Sequence, residues 1–279
     1  MSENAQRHSG VEGVGRWLPT TIDTSVAHIA RVYDFFLGGK DNFPADREAA
    51  ARILKGNPGM RDTCREQREY LRRAVRFLAE AGIRQFIDIG TGLPTQENTH
   101  EVAQKTAPDA RIAYIDNDPI VLAHARVLMA DQDHGRTVFI HADARDPGKL
   151  LADPALTDVI DFTRPVAVLL IGILHFLPDN DNPGELISTL LDAVPESSYL
   201  AISHGTPDFA PAIGDAVQAA YQASSMPCRV RTSAEVMDLL KGVELVDPGL
   251  VLLAEWRPDG PVPANHQQIT YAAVGRKVS

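Results

Sequence analysis

Short apolar runs alternate with amphipathic stretches from Gln85 onward, and this alternation limits the fold more than any other feature of the chain. Gln85–Ile89, Arg111–Asp116, Thr137–His141, 165–171 and 198–203 have the length and apolar content of strands. Helical patterns over 95–106, 118–130, 147–152 and 183–194 separate them, followed by helices at 207–221 and 233–240. Further strands are expected at 243–246, with 251–254 as a candidate extension, and at 269–274. Repeated strand–helix alternation implies a mostly parallel sheet with right-handed crossovers and helices on both faces. The run 165–171 is apolar throughout, as a strand covered on both sides requires. Sheets of this kind bind ligands at the carboxyl ends of the strands, near the point where strand order reverses. The residues just after each strand are therefore the ones to weigh.

The chain divides into a polar tail over 1–16, a helical cap or lid over 17–80 and an α/β domain over 81–279. Residues 22–54 read as helical, broken at Leu37-Gly38-Gly39-Lys40-Asp41-Asn42-Phe43-Pro44, where paired glycines followed by Asp, Asn and Pro mark a loop. The helix over 61–80 has an apolar face of Tyr70, Leu71, Ala74, Val75 and Leu78 and ends at Ala81-Gly82. Its arginines, Arg61, Arg65, Arg68, Arg72, Arg73 and Arg76, stand beside Glu66 and Glu69 and read as a solvated face rather than a nucleic-acid patch.

A formal charge of −10 disfavours nucleic acid as a partner. No apolar run reaches the ~18 residues of a membrane span, and residues 1–15 lack the apolar centre of a signal peptide. Cys64 and Cys228 make no disulfide framework and read as free thiols of a reducing compartment. No ligand spacing for a metal is present. A cytoplasmic, non-membrane protein with a small-molecule partner is the expectation, with its oligomeric state open.

The chemistry-bearing residues begin at Asp88-Ile89-Gly90-Thr91-Gly92-Leu93-Pro94-Thr95. Gly90 and Gly92 permit a tight turn and close backbone approach to a ligand, with Thr91 between them. A dinucleotide site favours G-x-G-x-x-G, but Thr95 stands where the third glycine belongs. Asp88 instead places a carboxylate two residues before the first glycine. S-adenosylmethionine, with a sulfonium and an ammonium but no pyrophosphate, suits that arrangement. Asp116, ending the second strand, is placed to accept from both ribose hydroxyls. Asn117 flanks the expected adenine position, and Asp118-Pro119 caps and opens a helix. After the third strand, Asp143 and Ala144 stand where the adenine amino group would be met, while Arg145 and Asp146 suit a local ion pair or cap. Gly172 follows the fourth strand beneath the expected sulfur. His175 and His204, after strands four and five, are candidate general bases, although a lone histidine in such an apolar setting is more often a structural one.

Taken together, Asp88-x-Gly90-x-Gly92, Asp116, Asp143 and the apolar strand ending Leu174-His175-Phe176 resemble the class I S-adenosylmethionine-dependent methyltransferases. More narrowly, the strings 30–43, 88–95, Asn98-Thr99-His100-Glu101 and 114–119 resemble a bacterial S-adenosyl methyltransferase family long known as a domain of unknown function. The resemblance implies a Rossmann-like, seven-stranded sheet with an antiparallel last strand, a helical N-terminal cap, and S-adenosyl-L-methionine as cofactor. It implies no particular acceptor. Tyr33 and Asn42, in the polar string beside Gly38 and Gly39, are expected to help close the cofactor site if that segment folds over the strand ends. A non-catalytic S-adenosylmethionine sensor and an NAD(P)-dependent oxidoreductase are the rival readings.

Overall fold

The structure is a computed structural model that describes residues 23–94, 97–129 and 136–278. The expected tail over 1–16, and Thr95 with its role in the dinucleotide argument, lie outside the described residues.

Three helices come first: α1 (Ile29–Leu37), α2 (Pro44–Gly56) and α3 (Met60–Glu80). Gly38 ends α1 in the left-handed conformation, φ 84°, and Pro44 opens α2 at a position where its missing N–H costs nothing. Helix α3 buries the apolar face read from its sequence, and Tyr70 ties it to the sheet by donating to the Ala273 carbonyl at 2.8 Å. Two of its arginines depart from the solvated reading. Arg73 is buried and donates to the carbonyls of Trp256 and Leu253 at 2.9 and 2.7 Å, and Arg61 donates to that of Phe35 at 3.1 Å. Arg65 and Arg72 pair with Asp62 and Glu69 at the surface, as the spacing suggested.

The alternating part follows as β1 (Gln85–Ile89), α4 (Thr99–Thr106), β2 (Arg111–Asp116), α5 (Pro119–Met129), β3 (Thr137–His141), α6 (Pro147–Leu151), α7 (Pro154–Val159) and β4 (Ala167–Leu170). It continues with α8 (Pro183–Ala193), β5 (Tyr199–Gly205), α9 (Pro211–Gln222), α10 (Ser233–Leu239), β6 (Val243–Leu245), β7 (Val251–Leu252) and β8 (Thr270–Lys277). Strand order is β3-β2-β1-β4-β5-β8-β6, with β7 also paired to β8. The first five strands are parallel, and β8 runs antiparallel to β5, β6 and β7. Eight strands replace the expected seven because the edge strand is interrupted. Both β6 and β7 lie on the side of β8 away from β5, pairing Leu245 with Gly275 and Val251 with Ala272, and a turn around Asp247–Gly249 separates them.

Period-two alternation splits each central strand between two cores. Ile87, Ile115, Val168, Leu170 and Ile202 face α6, α7, α8 and α10, while Phe86, Ile112, Tyr114 and Leu169 face α3 and α4. Each fully buried aliphatic side chain contributes about 1.5–3 kcal/mol. A third cluster joins the N-terminal helices to α9: Val32, Phe36, Ala50 and Ile53 pack with Val217 and Tyr221. No helix among the described residues is long and apolar enough to cross a membrane.

A buried polar knot fixes how the first helices enter this frame. Asp46, with no solvent exposure, accepts from the backbone N–H groups of His28 at 2.9 Å and Phe43 at 2.8 Å and lies 3.3 Å from Arg31 Nε. Arg31, itself buried, also donates to the Val26 carbonyl at 2.7 Å. Removing one partner of such a group leaves the other buried and uncompensated. Asp46→Ala is therefore expected to lower unfolding stability by about 3–5 kcal/mol in urea titrations, with Asp46→Asn, which keeps an acceptor, costing less.

Candidate functional site

The turn after β1 is built from two glycines with different duties. Gly90 and Gly92 have φ of 73° and 68°, values that favour glycine. A Cβ on Gly90 would lie 2.7 Å from Ile173 Cδ1, so this glycine also admits the loop that follows β4. Space is open at Gly92, whose service is to aim its N–H at Asp116 Oδ2, 2.8 Å away. Gly90 and Thr91 both donate to the Ile115 carbonyl, at 2.8 and 3.2 Å, which holds the turn against the end of β2. The Thr91 hydroxyl donates back to the Asp88 carbonyl at 2.9 Å.

Asp88 is buried and accepts from Thr99 Oγ1 at 2.6 Å. Burial raises its carboxyl to about 6, against the Thr99 hydrogen bond and the nearby Arg68 charge, which oppose the rise. Asp116, also buried, accepts from the Asp118 N–H at 2.9 Å through its second oxygen, and burial raises it as well. Asp118 caps α5 as its sequence suggested, accepting from Ile120 N–H at 2.9 Å. Its other oxygen lies 2.9 Å from His28 Nδ1. That pairing outweighs burial and holds the His28 imidazole above its usual range.

These groups surround one cleft of about 330 Å³ at the carboxyl ends of the strands. Asp88, Gly90, Thr91, Gly92, Asp116, Asn117, Asp143, Ala144, Gly172, Tyr33 and His175 all line it. Asp143 is gripped by Arg145, whose Nε lies 3.0 Å from Oδ1, and that contact lowers its carboxyl. Asp146 instead caps α6.

Two candidates fall outside the cleft's wall. His204 is fully buried with both ring nitrogens engaged: Nδ1 lies 2.8 Å from the Gly205 carbonyl and Nε2 2.9 Å from Arg231 Nη1. Burial and the neighbouring His175 push it down to about 3, so it is a neutral structural residue rather than a base at the mouth. Asn42 braces its own loop, donating to Asp34 Oδ2 at 2.8 Å and to the Gly39 carbonyl at 3.1 Å. Gly39 is required there because a Cβ would lie 1.9 Å from Asp34 Oδ1.

Several lining residues were not read as site residues from sequence, Arg68 having been placed on the solvated face of α3. His28 precedes α1, Gln67 and Arg68 lie on α3, and Val217 and Tyr221 come from α9. Gly172, with φ 80°, leaves room for Gln67: a Cβ would sit 2.2 Å from its Nε2. The Gly172 N–H donates to Ser203 Oγ at 2.8 Å, and that hydroxyl donates to Gln67 Oε1 at 3.3 Å. Gln67 Nε2 reaches the Tyr33 hydroxyl at 3.4 Å, which donates to the Cys64 carbonyl at 3.1 Å. Helix α4 starts at Thr99 rather than 95, capped by Asn98 with Glu101 three residues inside it. That capping pattern was present in the sequence as Asn98-Thr99-His100-Glu101.

The chain matches the family described as S-adenosyl methyltransferase over residues 15–278, and it belongs to that family. Among solved structures it is similar to a DUF574-family protein from Streptomyces avermitilis, at 45% identity, with 92% of this chain and 100% of that chain covered and a TM-score of 0.89. It is also similar to a protein from Thermobifida fusca provisionally named a methyltransferase, at 42% identity, with 95% and 100% covered and a TM-score of 0.88. An O-methyltransferase family protein from Burkholderia thailandensis shares the fold alone, at 15% identity, with 84% of this chain and 60% of that chain covered and a TM-score of 0.52. No curated protein matches the chain. The fold is thus the Rossmann-like α/β methyltransferase architecture, and the protein is a methyltransferase.

The raised carboxyl of Asp88 has a measurable sign. A folded-state value of about 6 against 3.8 means that the fold favours the neutral form. The associated stability is complete below about pH 3.8 and is lost as pH rises through about 6. Asp88→Asn is neutral throughout. Its melting temperature relative to wild type is expected to rise between pH 5 and pH 8 in the ligand-free protein, a trend differential scanning fluorimetry resolves.

Proposed function

We propose that this methyltransferase binds S-adenosyl-L-methionine across the β1–β3 side of the cleft and transfers its methyl group to a small molecule held on the β4–β5–β8 side. The observation that carries the reading is the charge pattern beside the glycine turn. Asp88 and Asp116 are buried carboxylates facing the same cleft, with Asp143 beyond them. A pyrophosphate would meet repulsion from these groups, while a sulfonium and an ammonium would not. Arg68, on the same wall as Asp88, supplies the opposite charge for an amino-acid carboxylate. Asp116 has lone pairs beyond its two backbone contacts for ribose hydroxyls, and Asp143 retains acceptor capacity beside Arg145 for an adenine amino group. Gly90 and Gly172 let Ile173 and Gln67 close on the wall where the reacting centre would lie.

When bound, the cofactor supplies an already activated methyl group on sulfur, so the protein's task is chiefly to orient and desolvate the reactants. The N-terminal helices serve that task as a packed roof. His28 and Tyr33 line the cleft from above, and Val32 and Phe36 anchor the roof in the third core. His175, at the turn after β4, is the candidate base where the acceptor carries a proton.

Calorimetry with S-adenosylmethionine, S-adenosylhomocysteine and NAD tests the reading. Both sulfur ligands are expected to bind and NAD is not. Asp116→Asn preserves side-chain shape but loses charge, and is expected to weaken S-adenosylhomocysteine binding by about tenfold or more, since hydrogen bonds to charged groups contribute roughly 1.5–3 kcal/mol. NAD binding with no response to either sulfur ligand would overturn the proposal.

A further inference from the structure

The strand ends divide the cleft into two chemically different halves. Every carboxylate and arginine side chain on its wall belongs to α3 or to segments on the cofactor half and its rim: Asp88, Asp116, Asp143, Arg145 and Arg68, with Asp181 close enough for its charge to reach Arg145. The other half lies over β4, β5 and the start of β8. Its wall includes Met60, Phe176, Val217, Tyr221, Met226 and Val230, all members of one hydrophobic cluster, with the uncharged Thr206, Ser225 and Thr270 beside them. Cys64 and Cys228 add two thiols, which burial keeps protonated and neutral.

One polar side chain of that half stands apart. His175 lines the cleft beside Phe176, at 4.3 Å between ring centroids, and its backbone is held where its carbonyl accepts from the Arg229 N–H at 2.8 Å. Its Nδ1 is buried with no hydrogen-bond partner, and neither ring nitrogen is engaged by a described residue. Burial, helped by the charge of Arg231 behind it, pushes the imidazole down to about 4, so it is neutral at ordinary pH. Arg231 itself is answered by Asp179 at 2.6 Å and by the His204 ring, and does not line the cleft.

We propose that the acceptor is a small, uncharged, largely aromatic molecule that offers a single hydroxyl to His175, which removes its proton during transfer. This rests on the cofactor reading above. A charged acceptor would have to surrender its hydration to a wall without a counter-charge. An apolar ring gains from the same wall, which Phe176 and Tyr221, packed edge to face at 5.1 Å, both line. A volume of about 330 Å³ for the whole cleft is near the lower end for ligand sites and limits any acceptor to a small molecule. In the transfer the hydroxyl oxygen takes the methyl carbon, and the sulfur–methyl bond breaks with its electron pair left on sulfur. The hydroxyl proton passes to the imidazole. The positive charge lost from sulfur thus reappears on His175, which gives up the proton when the site reopens to solvent.

The test compares three probes of one shape on protein saturated with S-adenosylhomocysteine: 2-naphthol, 2-naphthoate and 2-naphthylmethylammonium, by calorimetry. 2-Naphthol is expected to bind at least tenfold more tightly than either charged analogue. Val217→Phe is expected to reduce 2-naphthol affinity tenfold or more with S-adenosylhomocysteine affinity unchanged. His175→Gln is expected to keep 2-naphthol affinity within threefold while slowing single-turnover methylation by about 10²–10⁴-fold. Equal or tighter binding of a charged analogue, or no binding of 2-naphthol to protein that holds S-adenosylhomocysteine, overturns the acceptor class. Unslowed methylation by His175→Gln overturns the base. A failure to bind S-adenosylhomocysteine is a failure of the cofactor reading, and the acceptor proposal falls with it.

Discussion

Asp116 is the point on which the site's geometry rests. Its two oxygens accept from the Gly92 N–H on the β1 turn and from the Asp118 N–H at the start of α5. One carboxylate therefore sets the distance between the ends of β1 and β2. The cost is a buried charge, visible in the upward push that burial gives it. The two N–H groups offset part of that cost, and they do so only while both loops keep their shape. Asp118 then passes the constraint outward, since His28, which precedes α1, is paired with it. Strand ends and N-terminal helices are thereby held in one register by a short series of charged and polar contacts.

The same arrangement explains why the cleft has two characters. Charged groups gather over β1, β2 and β3 because each of those strands ends in a turn whose backbone N–H groups need acceptors. Carboxylates from Asp116 and Asp143 fill that need, while Asp88 accepts from the Thr99 hydroxyl, and all three leave remaining lone pairs. Across the reversal between β1 and β4, closure comes from apolar packing instead. Phe176 and the α9 residues Val217 and Tyr221 join the N-terminal helices in a shared hydrophobic cluster. A wall that must seal against water by packing has no place for an unpaired charge, so the polarity of this half is reduced to few groups, His175 among them.

How much of this the sequence revealed depended on the range of the interaction responsible. Strands β1, β2 and β3 have the bounds that apolar runs and turn residues indicate, because period and punctuation are local properties. The start of α4 was misplaced although the Asn98–Glu101 cap is local too; Glu97 and Asn98, which precede the helix, were read as part of it. Side-chain roles were harder. Asn42 and His204 carry groups suited to a site, yet their partners, Asp34 and Arg231, divert them into bracing. Arg73 and Arg61 sat within a row of surface-like arginines, and only carbonyls at Trp256, Leu253 and Phe35 reveal their structural use. Contacts made across 26 to 183 residues leave no periodic trace in the chain.

The hydrogen-bonded line from Gly172 to Ser203, Gln67, Tyr33 and the Cys64 carbonyl joins the strand ends to the N-terminal helices. Gly172 lies under the expected reacting centre, and Tyr33 belongs to the roof. The line passes through Gln67 because a glycine at 172 leaves its amide the space, which a Cβ would remove. The roof is consequently not an independent attachment to a sheet that would be complete without it. Its polar contacts end on the turn where methyl transfer is proposed to occur, and its apolar contacts form the wall proposed to receive the acceptor. A change of residue in α1 or α3 that alters packing should therefore be felt first in the choice of acceptor, while Asp88 and Asp116 remain where Thr99 and the Gly92 and Asp118 N–H groups hold them.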